Sequence, residues 1–133
     1  MNITTNRLMS QHILLVDDEA LVRATLTLCF KQEGLDVSTA TSGDEAVRMM
    51  RETPFNLVIL DLRLGDENGL DLLDHLKAMY PSLPVIMFTS LGDDLDLLTE
   101  ALARGADGYL NKNEPVAILM KEVERALLRA PAT

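Results

Sequence analysis

The sequence contains no tryptophan, and aromatic residues fill only 4% of its 133 positions. Its core must therefore be built from Leu, Val, Ile, Ala and Met, and the 47% hydrophobic content is enough for one domain. A single cysteine, Cys29, excludes an internal disulfide, and its place in an apolar, helix-like stretch marks it as a small core residue. That usage fits a reducing, cytoplasmic compartment. No apolar run is long enough to span a membrane. The opening MNITTNRLMS lacks the apolar stretch and small-residue cleavage site of a secretory signal, and reads as a loosely ordered lead-in over 1–10. Positive charge is scarce: 12 Lys and Arg stand against 21 Asp and Glu, a formal net charge of −9. Direct nucleic-acid binding and attraction to an anionic membrane surface are both disfavoured by that balance.

What the sequence does have is alternation. Apolar, β-branched-rich runs occur at HILLVD (12–17), LDVSTA (35–40), NLVILD (56–61), PVIMFTS (84–90) and GYLN (108–111). Between them lie stretches of helical spacing at 19–33, 43–53, 68–80, 93–104 and 114–129. Gly34 and Gly105 stand where helices should stop. Ser42 with Glu45 predicts a capping box, Asp93 predicts a cap on the fourth helix, and Pro115 suits the first turn of the last. The first, third and fourth runs are almost continuously apolar, as expected of parallel strands covered on both faces. Five βα units in this length predict a three-layer, doubly wound α/β domain with a five-stranded parallel sheet.

In such sheets ligands bind beyond the carboxyl ends of the strands. The first strand ends in Asp17, Asp18 and Glu19, the third in Asp61, the fourth in Thr89 and Ser90, and the fifth leads to Lys112. Alone, Asp17 and Asp18 read equally as a helix-capping turn. Together with the rest they form a chemical set. Clustered carboxylates favour a hard cation with oxygen ligands, and Mg²⁺ (Mn²⁺ being an alternative) suits an open site that also accepts phosphate oxygens. A carboxylate can itself be the nucleophile and form an aspartyl-phosphate. Asp61, alone at the end of a buried strand, is the candidate. Asp17 and Asp18 would then hold the metal, Lys112 would pair with a phosphoryl oxygen, and Thr89 would donate its hydroxyl to another. Glu19 is read as the start of the first helix, deepening the negative field. Asp66 and Glu67 are read as a solvated loop, His12 as a surface or edge residue, and the acids Asp93, Asp94, Asp96 and Glu100 as a solvated face able to tune partner choice.

These residues resemble, motif by motif, the receiver domain of bacterial two-component response regulators. VDDE (16–19) looks like the acidic pair, VILDLRL (58–64) like the phosphoacceptor strand, and NGL (68–70) like the motif after the acceptor loop. VIMFTS (85–90) looks like the strand carrying the switch hydroxyl, and GADGYLNK (105–112) places an aromatic, Tyr109, three residues before Lys112. The resemblance covers about residues 11–129, leaving 130–133 as a frayed tail. It implies a flavodoxin-like strand order, 2-1-3-4-5, and phosphoryl transfer to Asp61 from a histidine kinase or histidine phosphotransfer protein. It also implies Asp18, Asp61 and the backbone carbonyl of Arg63 as metal ligands, with Asp17 acting through water. Thr89 and Tyr109 would then switch the face formed by helix four, strand five and helix five. An output partner or effector domain would read that face, or a second copy would pair with it.

Two positions depart from the family pattern. Gly65 replaces the usual proline four residues after the acceptor, which predicts a more mobile RLGDEN loop. Asn113 replaces the usual proline after Lys112, where a non-proline cis peptide would be costly. Two rival readings stay open: a degenerate receiver that binds partners without phosphorylation, and a small Mg²⁺-dependent phosphatase. The second lacks an acid two residues past Asp61, where Arg63 stands.

Overall fold

Residues 11–90 and 95–129 are described by a computed structural model. The strands are β1 (His12–Val16), β2 (Asp36–Ala40), β3 (Leu57–Leu60), β4 (Val85–Thr89) and β5 (Gly108–Asn111). The helices are α1 (Ala20–Gln32), α2 (Gly43–Glu52), α3 (Gly69–Met79), α4 (Leu95–Ala103) and α5 (Val116–Arg129). All pairings in the main sheet are parallel, and the strand order is β2-β1-β3-β4-β5. This is the flavodoxin-like doubly wound architecture expected from the sequence. Element ends agree to within one or two residues. The cap expected at Asp93 lies outside the described residues, as do the lead-in 1–10 and the tail 130–133.

The apolar continuity of β1, β3 and β4 comes from burial on both faces, and the period-2 alternation divides each strand between two cores. Leu14, Val16, Val58, Leu60, Val85 and Met87 face one core, closed by Ala46 and Met50 of α2, Leu72, Leu73 and Leu76 of α3, and Ala101 of α4. Ile13, Leu15, Leu57, Ile59, Ile86 and Phe88 face the other, closed by Leu26 and Phe30 of α1 and Leu119, Val123 and Leu127 of α5. Each fully buried Leu, Ile or Val contributes about 1.5–3 kcal/mol, so the sheet is the rigid part of the molecule. The edge strand β2 keeps Asp36 exposed and the middle of DVSTA half-buried. His12 is no free surface group: its ring Nε2 is 2.8 Å from Ser38 Oγ and its ring lies 4.4 Å from that of Phe55. Cys29 is half-buried rather than wholly in the core.

The strand order reverses between β1 and β3, so their carboxyl ends flank the crevice of the fold. Helix α2 begins as predicted, with Ser42 Oγ accepting the N–H of Glu45 at 3.2 Å. Its capping box is displaced by one residue: Glu45 accepts the N–H of Thr41, not that of Ser42. The segment between β3 and α3 carries regular pairing of its own. Arg63–Leu64 pairs antiparallel with Glu67–Asn68 as a two-residue ribbon, turning through Gly65 and Asp66. A two-residue hairpin loop needs a positive φ in its turn, and Gly65 supplies φ 61°. Proline could not adopt that angle.

Candidate functional site

Strand β1 hands Asp17 into the carboxyl edge, its N–H held by the Ala40 carbonyl of β2, and β3 does the same for Asp61 through the Val16 carbonyl. Both are buried, Asp17 1% and Asp61 5% exposed. Lys112 follows β5 directly, its N–H donating to the Thr89 carbonyl at 3.0 Å. The strand pairings therefore converge three segments that are far apart in sequence. Lys112 Nζ lies 2.8 Å from Asp17 Oδ2, 2.6 Å from Asp61 Oδ2 and 2.6 Å from Glu19 Oε1. The free oxygens take backbone donors: Asp17 Oδ1 accepts from Glu19 N–H at 2.9 Å, and Asp61 Oδ1 from Arg63 N–H at 3.2 Å. Arg23 of α1 donates to the Asp17 carbonyl at 2.8 Å and so braces the turn from behind.

Burial raises the Asp17 carboxyl above its ordinary 3.8, outweighing the opposing bonds from Lys112 and the Glu19 N–H. Burial also works against the Lys112 ammonium, but its bonds to Asp17, Asp61 and Glu19 prevail and hold its pKa above the ordinary 10.5. Lys112 is therefore a fixed positive charge among three carboxylates, which leaves an excess of negative charge at the edge.

Ligand oxygens of Asp17, Glu19 and Asp61 all lie within 4.8 Å of one another. This donor set is all oxygen and anionic, which fits a hard divalent cation. The expected metal pair Asp17 and Asp18 is divided by the structure. Asp17 belongs to the compact set, whereas Asp18 is exposed and its Oδ2 accepts the N–H of Gly65 at 2.9 Å. Glu19 has moved into the set, although the sequence suggested only a helix start. It stands at the N-cap of α1 without capping it, and its side chain turns to Lys112 instead. No sequence signal gives that direction.

Thr89 is buried, 1% exposed, at the end of β4 and pairs in register with Asn111. Tyr109 is half-buried on β5 and packs against the core on the α4 side. Arg63 is exposed and its N–H bonds Asp61. Glu67, read above as a solvated loop residue, is exposed and also accepts the N–H of Gly43 at 3.1 and 3.3 Å. It thus places a carboxylate on the N-terminus of α2 and ties the ribbon to it. Of the acids expected on the fourth helix, Asp93 and Asp94 lie outside the described residues. Asp96 is exposed, and Glu100 pairs with Arg104, which also holds Asp74. At the other departure from the family pattern, no described peptide is cis, and Asn113 donates its N–H to Asn111 Oδ1 at 2.8 Å, a bond proline could not make.

Comparison with known proteins settles the family. The model of the response regulator receiver domain matches residues 13–124. The chain belongs to the response regulator receiver family. It is 40% identical over 100 residues to the alginate biosynthesis transcriptional regulatory protein AlgB of Pseudomonas syringae pv. tomato, covering 75% of this chain and 22% of that protein. It is 37% identical over 122 residues to the response regulator protein PilR of Pseudomonas aeruginosa, covering 91% of this chain and 27% of that protein. The crystal structure of the receiver domain of NtrX from Brucella abortus is 33% identical, with a TM-score of 0.83 over 89% of this chain and 99% of that one. The chain thus spans about a quarter of each of these two curated regulators, and nearly all of the isolated receiver. No helix among the described residues of this receiver is long and apolar enough to cross a membrane.

Proposed function

We propose that this receiver accepts a phosphoryl group on Asp61 from a histidine kinase or histidine phosphotransfer protein, with Mg²⁺ bound, and that its boundaries are residues 11 and 129. The observation that carries the proposal is the Lys112 ammonium, 8% exposed, bonded at once to buried Asp61 and buried Asp17. A lysine held there places a fixed positive charge beside the one carboxylate that stands alone at the end of a buried strand. A helix-capping role for these acids explains neither the burial nor the convergence.

The chain's own groups divide the work. Asp61 Oδ attacks phosphorus, the Asp61 O–P bond forms, the donor's N–P bond breaks, and the donor imidazole leaves with its bonding pair. Lys112 stays protonated throughout and bonds an oxygen of the transferred group. Thr89 donates its hydroxyl to another. The Arg63 N–H holds Asp61 Oδ1, leaving Oδ2, now on Lys112, as the oxygen to be exchanged between ammonium and phosphorus. Asp17, Asp18, Asp61 and the Arg63 carbonyl are the proposed metal ligands, with Glu19 added by its place in the compact set. When bound, the cation, Mg²⁺ or Mn²⁺, would neutralise the charge developing on the phosphoryl oxygens. Thr89 and Tyr109 lie on adjacent strands, so a shift of Thr89 toward the phosphoryl group is passed to Tyr109 and the α4–β5–α5 face. That face is the proposed contact for an output domain, an output partner or a second copy.

The test uses Mg²⁺ with a small acyl phosphate, and beryllofluoride as a mimic. Intact mass should rise by one phosphoryl group in the wild type and not in Asp61→Ala. A wild type unmodified by any donor would instead support the phosphorylation-independent binding module.

A further inference from the structure

The acids at the carboxyl edge are not held alike. Asp17 and Asp61 each accept an N–H from two residues further along their own chain, Glu19 and Arg63. Such bonds form locally wherever an Asp ends a strand. Both acids also share Lys112. Asp18 has neither support. Lys112 reaches Asp17, Glu19 and Asp61, while the Asp18 carboxylate is bonded by a residue 47 positions away, through Gly65 N–H to Oδ2 at 2.9 Å.

That bond needs a residue that carries an N–H and accepts a positive φ. Gly65 has φ 61°, and a Cβ placed on it would meet nothing within 4 Å, so the constraint is the backbone angle rather than space. Proline could not hold that angle and has no N–H to give. The turn that presents this donor is itself fixed. Its ribbon pairs Arg63 with Asn68 and Leu64 with Glu67, and Glu67 is anchored to the N-terminus of α2. An N–H on Oδ2 leaves Oδ1 with lone pairs for a hard cation. It also stops an exposed carboxylate from sampling other rotamers.

We infer that Gly65 is a positioning residue for the cation site, orienting the Asp18 carboxylate through its N–H as the ribbon turn docks. The inference rests on the cation binding proposed above. Hydrogen-bond partners of metal ligands typically contribute 10–100-fold to metal affinity.

The experiment is a calorimetric Mg²⁺ titration of the wild type, Gly65→Asn, Gly65→Ala, Gly65→Pro, Asp18→Ala, and the double variant Asp18→Ala/Gly65→Pro. Melting of each metal-free protein is recorded alongside. Gly65→Pro should bind Mg²⁺ about tenfold more weakly. Gly65→Asn, which keeps the N–H and tolerates positive φ, should retain most of the affinity, with Gly65→Ala between the two. The double variant should bind no more weakly than Asp18→Ala alone, because Gly65 acts through Asp18. The inference is overturned if Gly65→Pro binds as tightly as the wild type, or if its loss adds in full to that of Asp18→Ala. Should Gly65→Pro fail to fold, the order wild type, Asn, Ala carries the test, and equal affinities refute it. A wild type that binds no Mg²⁺ overturns the underlying cation site instead.

Discussion

Gly69 opens α3 with an ordinary backbone conformation, yet it has no room for a side chain. A Cβ built on it would lie 2.8 Å from Leu62 Cα, 2.9 Å from the Leu62 carbonyl oxygen, and closer still to the carbonyl oxygen of Asp61. Carbon atoms pack comfortably at about 3.5–4.0 Å, so the gap is short by most of an ångström. The obstructing atoms are all backbone, and they belong to the segment that carries Asp61, the proposed phosphoacceptor. They cannot swing aside as a side-chain tip could. Gly69→Ala must therefore push the start of α3 away from β3, weakening the 2.7 Å bond from the Gly69 N–H to the Leu62 carbonyl. Overpacking costs about 1–3 kcal/mol, and the strained hydrogen bond about 0.5–1.5 kcal/mol. Alanine's better helix propensity returns at most about 1 kcal/mol. The expected net loss is about 2–3 kcal/mol, or about 6–12 °C in Tm for a domain of this size. Urea denaturation followed by circular dichroism should show a lower midpoint with an unchanged slope. The displaced Asp61 should also accept phosphoryl groups more slowly. A Gly69→Ala protein within about 0.5 kcal/mol of the wild type, which is the usual scatter of neutral surface substitutions, would refute the reasoning.

Two further outcomes are expected. Lys112→Ala leaves buried Asp17 and Asp61 without their cation and should cost about 3 kcal/mol near pH 8 by chemical denaturation, because removing one partner of a buried pair strands the other. Burial already raises Asp17, so this variant should recover stability as pH falls, whereas the wild-type contribution of Lys112, whose folded pKa is raised, is complete below pH 10.5 and is lost as pH climbs past it. Glu67→Ala removes the carboxylate from the N-terminus of α2 and should destabilise by about 1 kcal/mol, measured by urea midpoint, since Ser42 continues to cap its own helix.

Much of the fold was legible because it rests on local patterns. Continuous apolar runs marked the inner strands, and helical spacing marked the helices between them. Period 3.6 and period 2 are properties of a short window, so no distant residue was needed to recognise them. The acids Asp17, Asp18 and Asp61, with Lys112 and Thr89, could be picked out because the doubly wound fold gives one address, the strands' carboxyl ends, to residues scattered over the chain.

The sequence by itself determined the strands, the helices, the family and the short set of residues proposed to carry phosphoryl chemistry. Tertiary structure alone decided how those residues share their charges. Glu19 rather than Asp18 faces Lys112, Asp18 is held by the turn of a ribbon that no periodicity announces, and Glu67, still exposed, reaches the end of α2. The physical reason is range. Secondary structure follows from neighbours within a few positions, whereas the direction of a flexible carboxylate is set by whichever donor the fold brings to it. Here those donors come from 24, 47 and 93 residues away.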